Sequence, residues 1–322
     1  MTPSVMTRSL IDADLTTREF FMRVFVTGAS GHIASAIIPE LLGAGHHVVG
    51  LARSDASAGA VAALGAEVHR GSLDDHDSLR EAVGASDGVI HLAFKHQEMN
   101  TGDIDGALDA DLRAIEVMGD ALARSGKPLV GTSGTIPLAF GGVEGVATEA
   151  DIMEAGPRID GENAVIALAD RGIRSSVVRL PPLVHSPLDH TGFTPALIRF
   201  ARDNGKAGYV GDGSNRWPAG HTLDVAHLYR LALEAAPAGA RLHGVGDEGV
   251  PFREIAEVIG RQLDVPVVSI APEDVAGYFD YLAFFAGLDN PASSDLTQEL
   301  LDWHPTHPGL IEDLNEGHYF RD

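Results

Sequence analysis

A glycine-rich turn near the start of the chain carries the clearest chemical signal in these 322 residues. Residues 27–34 read TGASGHIA and follow a short apolar stretch. Glycines at this place let the backbone turn tightly and approach a pyrophosphate, which then rests on the positive N-terminus of the next helix. Ala34 stands where a third glycine is usual, a change that close helix–strand contact tolerates. The turn predicts a dinucleotide site that includes Gly28, Ser30, Gly31, His32 and Ile33.

The residues after the second apolar stretch bear on the choice between NAD and NADP. An NAD site places an acid there for the ribose 2′-hydroxyl, whereas an NADP site places a basic residue. This chain has Arg53 and Ser54 there, and its first acid is Asp55. A guanidinium suits a 2′-phosphate, and His32 would add a second donor. The pattern favours NADP(H); the alternative is that Arg53 is a solvated surface charge.

Short apolar strands that alternate with helical stretches must position these residues. We predict six strands, at Val24–Thr27, Val48–Leu51, Glu67–His69, Gly88–Ala93, Leu129–Thr132 and Ser176–Leu180. We predict helices between them at about 32–43, 55–64, 76–84, 104–125 and 159–171. Strands separated by helices require right-handed crossovers, which give an α/β fold with a parallel, doubly wound sheet, that is, a Rossmann fold.

The regular alternation ends after Leu180, where prolines and glycines become frequent. Helical patterns return at about 222–236, 252–262 and 272–287, and Arg241–Val245 is predicted as a strand that returns to the main sheet. We therefore expect a nucleotide-binding domain over 22–180 and a smaller, partly interleaved substrate lobe over 181–322. Residues 1–21 are predicted to be an N-terminal extension, because Met22-Arg23 looks like a second protein start.

Charge and composition exclude several classes of partner. The chain has 23 basic and 46 acidic residues, a formal net charge of −23. Such a surface repels phosphate backbones and anionic lipids, so we expect neither a nucleic-acid nor a membrane partner but a small-molecule substrate. The absence of cysteine excludes disulfides, a thiolate nucleophile and Cys-ligated metal. Uncharged runs are too short to span a bilayer, and no metal-binding motif appears. We predict a cytoplasmic, metal-free protein.

Several segments together resemble the short-chain dehydrogenase/reductase superfamily, within its extended and atypical branches, which include nucleotide-sugar epimerases and dehydratases. The segments are TGASGHIA at 27–34, LARS at 51–54, GSLD at 71–74, HLAF at 91–94, TSGT at 132–135 and LDWHP at 301–305. The resemblance covers about 22–322 and implies a homodimer that associates through the long helices. It also implies that Leu73 and Asp74 flank the adenine, Ala93 and Phe94 the nicotinamide ribose, and Pro182 to Val184 the nicotinamide amide.

The same resemblance indicates an unusual catalytic centre. In this superfamily a Ser or Thr after the fifth strand binds the substrate oxygen, a Tyr transfers the proton, and a Lys four residues later lowers the pKa of that Tyr. Ser133 fits the first role, but Arg158 stands in the Tyr position and Glu162 in the Lys position. An arginine is a poor proton donor at neutral pH and a good clamp for an oxyanion or carboxylate. The alternative is a helical i,i+4 ion pair worth about 0.3–0.5 kcal/mol.

Residues around the expected nicotinamide mouth are candidates for the substrate site. A histidine is best matched to proton transfer at neutral pH, and His96 follows directly on the HLAF segment. In the segment 211–224 an arginine would bind a polar or anionic group and a tryptophan would stack on a ring; the alternative is a loop anchored by a buried tryptophan. The predicted substrate residues are Lys95, His185, Arg216, Trp217 and His221.

The sequence thus predicts an NADP(H)-dependent oxidoreductase that reduces a small carbonyl or imine by hydride transfer. Ser133 would bind the oxygen, and water or a non-standard residue would supply the proton. Two alternatives stay open. One is a non-catalytic NADP-binding sensor, and the other is a non-redox enzyme of the epimerase or lyase type.

Overall fold

The computed structural model describes residues 21–321, so the predicted N-terminal extension lies outside it except for Phe21. In chain order, the strands are β1 (Arg23–Thr27), β2 (His47–Ala52), β3 (Glu67–Arg70), β4 (Gly88–His91), β5 (Pro128–Gly134), β6 (Arg174–Leu180), β7 (Leu183–His185), β8 (Ala207–Val210), β9 (Arg216–His221), β10 (Ala240–His243), β11 (Asp247–Pro251) and β12 (Val267–Ile270).

The α-helices alternate with the strands in the first half and cluster in the second. They are α1 (His32–Gly43), α2 (Asp55–Ala63), α3 (His76–Gly84), α4 (His96–Asn100), α5 (Ile104–Leu122), α6 (Ile136–Phe140), α7 (Ile159–Ala167), α8 (Phe193–Asn204), α9 (Thr222–Ala235), α10 (Phe252–Leu263), α11 (Val275–Phe279), α12 (Asp295–Leu301) and α13 (Leu310–Asn315). A short 3-10 helix at Leu168–Arg171 extends α7, as the predicted 159–171 pattern requires.

The central sheet has seven strands in the order β10-β6-β5-β4-β1-β2-β3, all parallel. This confirms the predicted doubly wound Rossmann fold. The strand order reverses between β1 and β4. In open parallel sheets, ligands bind at the carboxyl ends of the strands at such a switch point. The glycine-rich turn that follows β1 therefore lies at the place where the topology favours a nucleotide.

Two apolar layers cover the sheet, one on each face. On one face, α1 and α9 pack against each other and against the strands, with side chains such as Ile37, Leu41 and Tyr229 fully buried. On the other face α3, α5 and α7 bury residues such as Leu79 and Met118. Since α9 and β10 come from the second half of the chain, that half contributes both a helix and an edge strand to the main domain.

The rest of the second half forms a lobe with its own core. Its strands make a three-stranded sheet, β11-β9-β7, and a two-stranded pair, β12-β8, around an aromatic core that includes Trp217, Phe252 and Phe279. The predicted helix at 272–287 is wrong, because the chain there breaks into α11 and short 3-10 turns. Asp280, with a left-handed φ of 49°, interrupts it.

Within residues 21–321, no helix is long and apolar enough to cross a membrane.

Candidate functional site

The turn between β1 and α1 has the geometry that a pyrophosphate site needs. Gly28 adopts a left-handed φ of +66°, and a Cβ on it would lie 2.8 Å from the backbone nitrogen of Ala93. Gly31 is the N-cap of α1 and offers no side chain to its first-turn amides. These amides therefore remain available to an anion. The predicted cofactor residues Ser30 and Ile33 lie within the same turn and first helical turn.

Thr27, the last residue of β1, fixes the expected nicotinamide end of the turn. Its Oγ1 accepts hydrogen bonds from the backbone amides of Leu92 and Ala93, both at 3.2 Å. Its own proton then goes to His91 Nδ1, 2.7 Å away. These bonds hold Ala93 and Phe94 beside Gly28. No local pattern in the sequence signals this role of Thr27.

His91 carries this network to a buried acid. Because Nδ1 accepts from Thr27, the proton of the neutral ring is on Nε2, which donates to Asp111 Oδ1 at 3.1 Å. Asp111 lies on α5 and is only 6% exposed. A Cβ on Gly161 of α7 would come within 2.9 Å of Asp111 Oδ2, so glycine leaves room for this carboxylate. The sequence signal that was missed is a lone acid on the apolar face of α5, among Ala107, Ala110, Ala114, Ile115 and Met118.

Arg158 precedes α7 as its N-cap and directs its guanidinium to the end of β5. Nη2 donates to the carbonyl oxygen of Thr132 at 3.1 Å, and Nη1 donates to Asp111 Oδ2 at 3.4 Å. The guanidinium carbon also lies 4.0 Å from the centre of the Phe94 ring. The backbone has a left-handed φ of 69°, which costs a non-glycine residue about 1–3 kcal/mol and concentrates at functional sites. The structure thus clamps a cation next to Ser133.

Ser133 lies one residue beyond the carbonyl that Arg158 binds. It is 4% exposed, and among the described residues its Oγ finds no hydrogen-bond partner. It lies close enough to Glu162 to contribute to the lowering of that residue's pKa, but without hydrogen-bond geometry. A buried hydroxyl without a partner costs free energy, so Ser133 is well suited to donate to a bound substrate oxygen.

Glu162 has a different role from the one its sequence position suggested. It does not pair with Arg158; its carboxylate binds Arg179 at 2.6 and 3.0 Å and Arg241 at 2.7 Å. Burial by itself would raise the pKa of Glu162, but the two guanidinium groups lower it below its ordinary value. The ion pair between Arg158 and Glu162, which was the alternative interpretation, is therefore absent. Glu162 is an ionised anchor among β6, α7 and β10, not a group that exchanges protons.

A buried tyrosine lies below this centre but does not replace the missing one. Tyr229 of α9 is fully buried, and its hydroxyl lies 2.7 Å from Thr132 Oγ1. Since Thr132 Oγ1 donates to the His91 carbonyl, the Tyr229 hydroxyl must donate to Thr132. Burial raises the pKa of Tyr229 above its ordinary value. Tyr229 thus supports the strand that carries Ser133 from the opposite face of the sheet.

At the expected adenosine end, Arg53 is exposed immediately after β2, and no described residue forms a hydrogen bond or ion pair with its guanidinium. Ser54 is the N-cap of α2, and its hydroxyl accepts from the backbone amide of Ser57. The expectation that His32 assists Arg53 fails. The His32 ring lies 3.0 Å from Thr222 Oγ1 and 3.5 Å from Asp189, in contact with the second half of the chain. Burial lowers its pKa to about 4.

Lys95 lies beside Asp74, at the expected adenosine end and not at the expected nicotinamide mouth. Its ammonium group is 2.9 Å from Asp74 Oδ1, in a cleft of about 270 Å³ that also includes His76 and Arg113. Leu73 is buried beneath Asp74. The ion pair directs Lys95 away from Ser133, so its predicted place in the substrate site is not supported.

Most of the other predicted substrate residues are held by contacts within the protein. Trp217 is 1% exposed and donates from Nε1 to the Leu288 carbonyl, so it is the buried anchor that was the alternative interpretation. Arg216 forms a two-pronged ion pair with the half-exposed Asp289. These contacts argue against a stacking or anion-binding role for the pair.

The two predicted histidines belong to a buried cluster. His185 is fully buried, with Nδ1 2.8 Å from Asp313. His221 stacks on His307 at 4.7 Å between ring centres, and burial lowers its pKa to about 4. By contrast, His96 is exposed at the mouth of the site, with its ring 5.0 Å from that of Phe94. Pro182 is half-buried and Val184 is buried within β7.

Comparisons with known proteins agree with this fold. A family model described as the NmrA-like family matches residues 22–110. The uncharacterized protein C2A9.02 of Schizosaccharomyces pombe is 44% identical over 299 residues, which cover 93% of this chain and 100% of that protein. The 2-alkyl-3-oxoalkanoate reductase of Stenotrophomonas maltophilia is 27% identical over 264 residues, 78% of either chain. The solved dTDP-glucose 4,6-dehydratase of Streptomyces venezuelae with NAD bound shares the fold, with a TM-score of 0.73 and 19% identity over 93% of this chain and 97% of that one.

This chain belongs to the short-chain dehydrogenase/reductase superfamily. It falls in the extended and atypical branch, with the epimerase- and dehydratase-type relatives. In this superfamily member, Gly28 and Gly31 form the glycine-rich turn at the carboxyl edge of the sheet, where the cofactor is predicted to bind. The Ser133–Arg158 pair lies at the same edge, two strands away along the sheet order.

Proposed function

We propose that this chain is an NADP(H)-dependent oxidoreductase that reduces a small carbonyl or imine without the usual Tyr/Lys pair. The observation that carries the proposal is the buried Ser133 hydroxyl, which has no described partner and lies beside a guanidinium held in a strained conformation. The kinship with a reductase of oxoalkanoates supports the reaction class.

Two parts of the site fit a phosphorylated dinucleotide. At Gly28 a Cβ would fill the cradle, and the exposed Arg53 stands where a 2′-phosphate is recognised. When bound, NADPH supplies the hydride that adds to the substrate carbon. The residues Ala93 and Phe94, which Thr27 holds in place, would line the nicotinamide ribose.

Ser133 and Arg158 would share the work on the substrate oxygen. The Ser133 hydroxyl donates a hydrogen bond to the carbonyl oxygen and so orients it. As negative charge develops on that oxygen, the fixed Arg158 cation stabilises it electrostatically, as a preorganised donor does in an oxyanion site. Arg158 keeps its own proton, although burial lowers its pKa from the ordinary value.

The alkoxide then needs a proton from outside the pair. His96 is the imidazole next to Phe94; neighbouring protein atoms partly desolvate its ring, and this effect, together with the charge of Arg158, lowers its pKa. An imidazole at this place can take a proton from water on one nitrogen and release one from the other. Water, relayed by His96, is therefore the proposed proton source.

The test uses NADPH that carries deuterium at nicotinamide C4 with a panel of aldehydes, ketones and imines. Mass spectrometry should find the label in an alcohol or amine product. Ser133→Ala should reduce turnover about 100-fold or more and leave the affinity for NADPH unchanged.

Ser176→Ala is the matched control, because Ser176 is also buried with a hydroxyl that lacks a partner within the described chain, but it lies in the middle of β6. It should keep full turnover. Unlabelled products from protein that binds NADPH would refute the reductase. A reaction without net NADPH consumption would then indicate the epimerase or lyase alternative, and no reaction at all would indicate the sensor.

A further inference from the structure

Three histidine rings meet where the lobe sheet adjoins α9. His185 ends β7 and His221 ends β9, and the register of these parallel strands pairs the two residues directly. Their rings meet edge to face, with 5.5 Å between centres. His307, from the segment between α12 and α13, stacks on the His221 ring with 4.7 Å between centres and 7° between planes. Three segments that are separate in the chain thus bring three imidazoles together.

A buried carboxylate belongs to the same group. Asp224 lies in the first turn of α9 and is 4% exposed, with Oδ1 2.7 Å from His307 Nδ1. The backbone amides of Thr306 and His307 donate to its two oxygens at 3.0 and 3.1 Å, so the carboxylate is held in one orientation. One donor atom each from His221, Asp224 and His307 lies within 4.8 Å of the other two. Imidazole nitrogens and carboxylate oxygens are ligands that Zn²⁺ accepts.

His185 has the hydrogen bonding of a metal-ligating histidine. Its Nδ1 donates to Asp313 Oδ2 at 2.8 Å, so the Nε2 atom of the neutral ring carries a lone pair. That nitrogen is buried, and within residues 21–321 it has no hydrogen-bond partner. A buried acceptor without a partner costs free energy. An imidazole that binds a metal through one nitrogen usually donates from the other to a carboxylate or carbonyl, and Asp313 has this place beside His185.

The donor atoms favour zinc over the harder cations. Imidazole nitrogen suits Zn²⁺ and its transition-metal neighbours, whereas Ca²⁺ and Mg²⁺ take oxygen ligands. With Zn–N distances of about 2.0–2.1 Å, ligand atoms in a tetrahedron stand about 3.3 Å apart. The donor atoms of His221, Asp224 and His307 would therefore close by at most about 1.5 Å around the ion. The His307 side chain is 39% exposed and gives the ion a path from solvent.

We propose that His221, Asp224 and His307 bind a zinc ion, with His185 as the fourth ligand. The ion is structural, because four protein ligands leave no open position for water or substrate. It joins β7, β9 and α9 to the segment after α12. Thr222, next to His221, contacts the His32 ring at 3.0 Å, so the ion also supports the start of α1. The ligands lie in separate parts of the chain, and for this reason no local motif in the sequence indicates a metal.

The experiment measures the metal content of untagged protein purified without a chelator. We expect about one zinc ion per chain by mass spectrometry of the elements. After zinc is removed, Co²⁺ should bind and give the intense visible absorption of a tetrahedral ion. His221→Gln and His307→Gln should each weaken Zn²⁺ binding about 100-fold or more, and Asp313→Asn about 10- to 100-fold. His304→Gln is the matched control, because His304 is exposed in the same segment and contacts Asp302; its Kd for Zn²⁺ should stay that of the wild type.

The wild-type chain alone can overturn the proposal: if it carries no zinc and gives no tetrahedral Co²⁺ spectrum, the site does not exist. Equal Zn²⁺ binding by the wild type and His221→Gln would indicate adventitious surface histidines and would also overturn it. So would binding that is lost only in His318→Gln, because the ion would then lie in the neighbouring group of Asp313, Glu316 and His318. A chelator should lower the Tm of the wild type and leave that of His221→Gln unchanged. None of these readouts depends on turnover, so the outcome is independent of the reductase proposal.

Discussion

Replacing Asp111 by Asn tests whether the buried network holds Arg158 in place. His91 and Arg158 both donate to the Asp111 carboxylate, whereas an amide offers one acceptor oxygen and an NH₂ group that can only donate. The Thr27 contact fixes the proton of His91 on Nε2, so His91 Nε2 and Arg158 Nη1 both still need an acceptor. One of them must then face the NH₂ group of the asparagine, which is itself a donor. We expect the Asn oxygen to keep His91 and the Arg158 guanidinium to lose its anchor.

The magnitude follows from the geometry. A hydrogen bond to a charged group contributes about 1.5–3 kcal/mol. The Nη1–Oδ2 distance of 3.4 Å is long, and the 22% exposure of the Arg158 side chain lets solvent screen the pair. We therefore expect the free energy of unfolding to fall by about 1.5–2 kcal/mol, which lowers Tm by about 2–3 °C for a chain of this length. We expect kcat/KM to fall about tenfold, since 1.4 kcal/mol corresponds to a factor of ten.

The assay combines denaturant unfolding with the rate of NADPH oxidation and includes a double-mutant cycle. Asp109→Asn is the control, because Asp109 is an exposed acid on the same helix, in an i,i+4 pair with Arg113 at 3.6 Å. It should change stability by less than about 0.5 kcal/mol. If Asp111→Asn and Arg158→Met have additive effects on stability and rate, the two side chains are not coupled and the reasoning is refuted.

Three other predictions follow from single features of the structure. Gly28→Ala should abolish NADPH binding, since its Cβ would lie 2.8 Å from the Ala93 nitrogen at a φ of +66°; Gly43→Ala, where a Cβ meets nothing within 4 Å, should bind normally in the same fluorescence titration. Arg53→Ala should raise the Kd for NADPH about tenfold to a hundredfold and leave that for NADH nearly unchanged; equal effects on both cofactors would remove Arg53 from phosphate recognition. The folded-state pKa of His221 is lowered to about 4. As the pH falls, His221 therefore becomes protonated in the unfolded chain before it does in the folded one. Between about pH 6.5 and about pH 4, this difference lowers the free energy of unfolding. Urea unfolding across this range should therefore show a shallower pH dependence in His221→Gln, and an unchanged slope would contradict the buried neutral ring.

The sequence alone specifies the architecture and predicts the cofactor turn, because both depend on local patterns. Short apolar runs alternate with helical periodicity, and that alternation specifies a parallel sheet wherever the chain crosses back by helices. The eight-residue motif at 27–34 is enough to predict a cofactor role for Gly28 and Gly31. The position of Arg53 directly after β2 is likewise a local signal. Ser133 follows from its place at the end of a strand.

The contacts of the proposed catalytic and substrate residues could be found only in the tertiary structure, because these residues meet partners far away in the chain. Asp111 and Arg158 are separated by 47 residues, and Glu162 meets Arg241 across 79, so no local pattern reveals either pair. Side-chain type also misleads when burial differs. Trp217 looks like a stacking residue and is a core anchor. Local chemistry specifies which elements form, but only packing determines which side chains remain free to act.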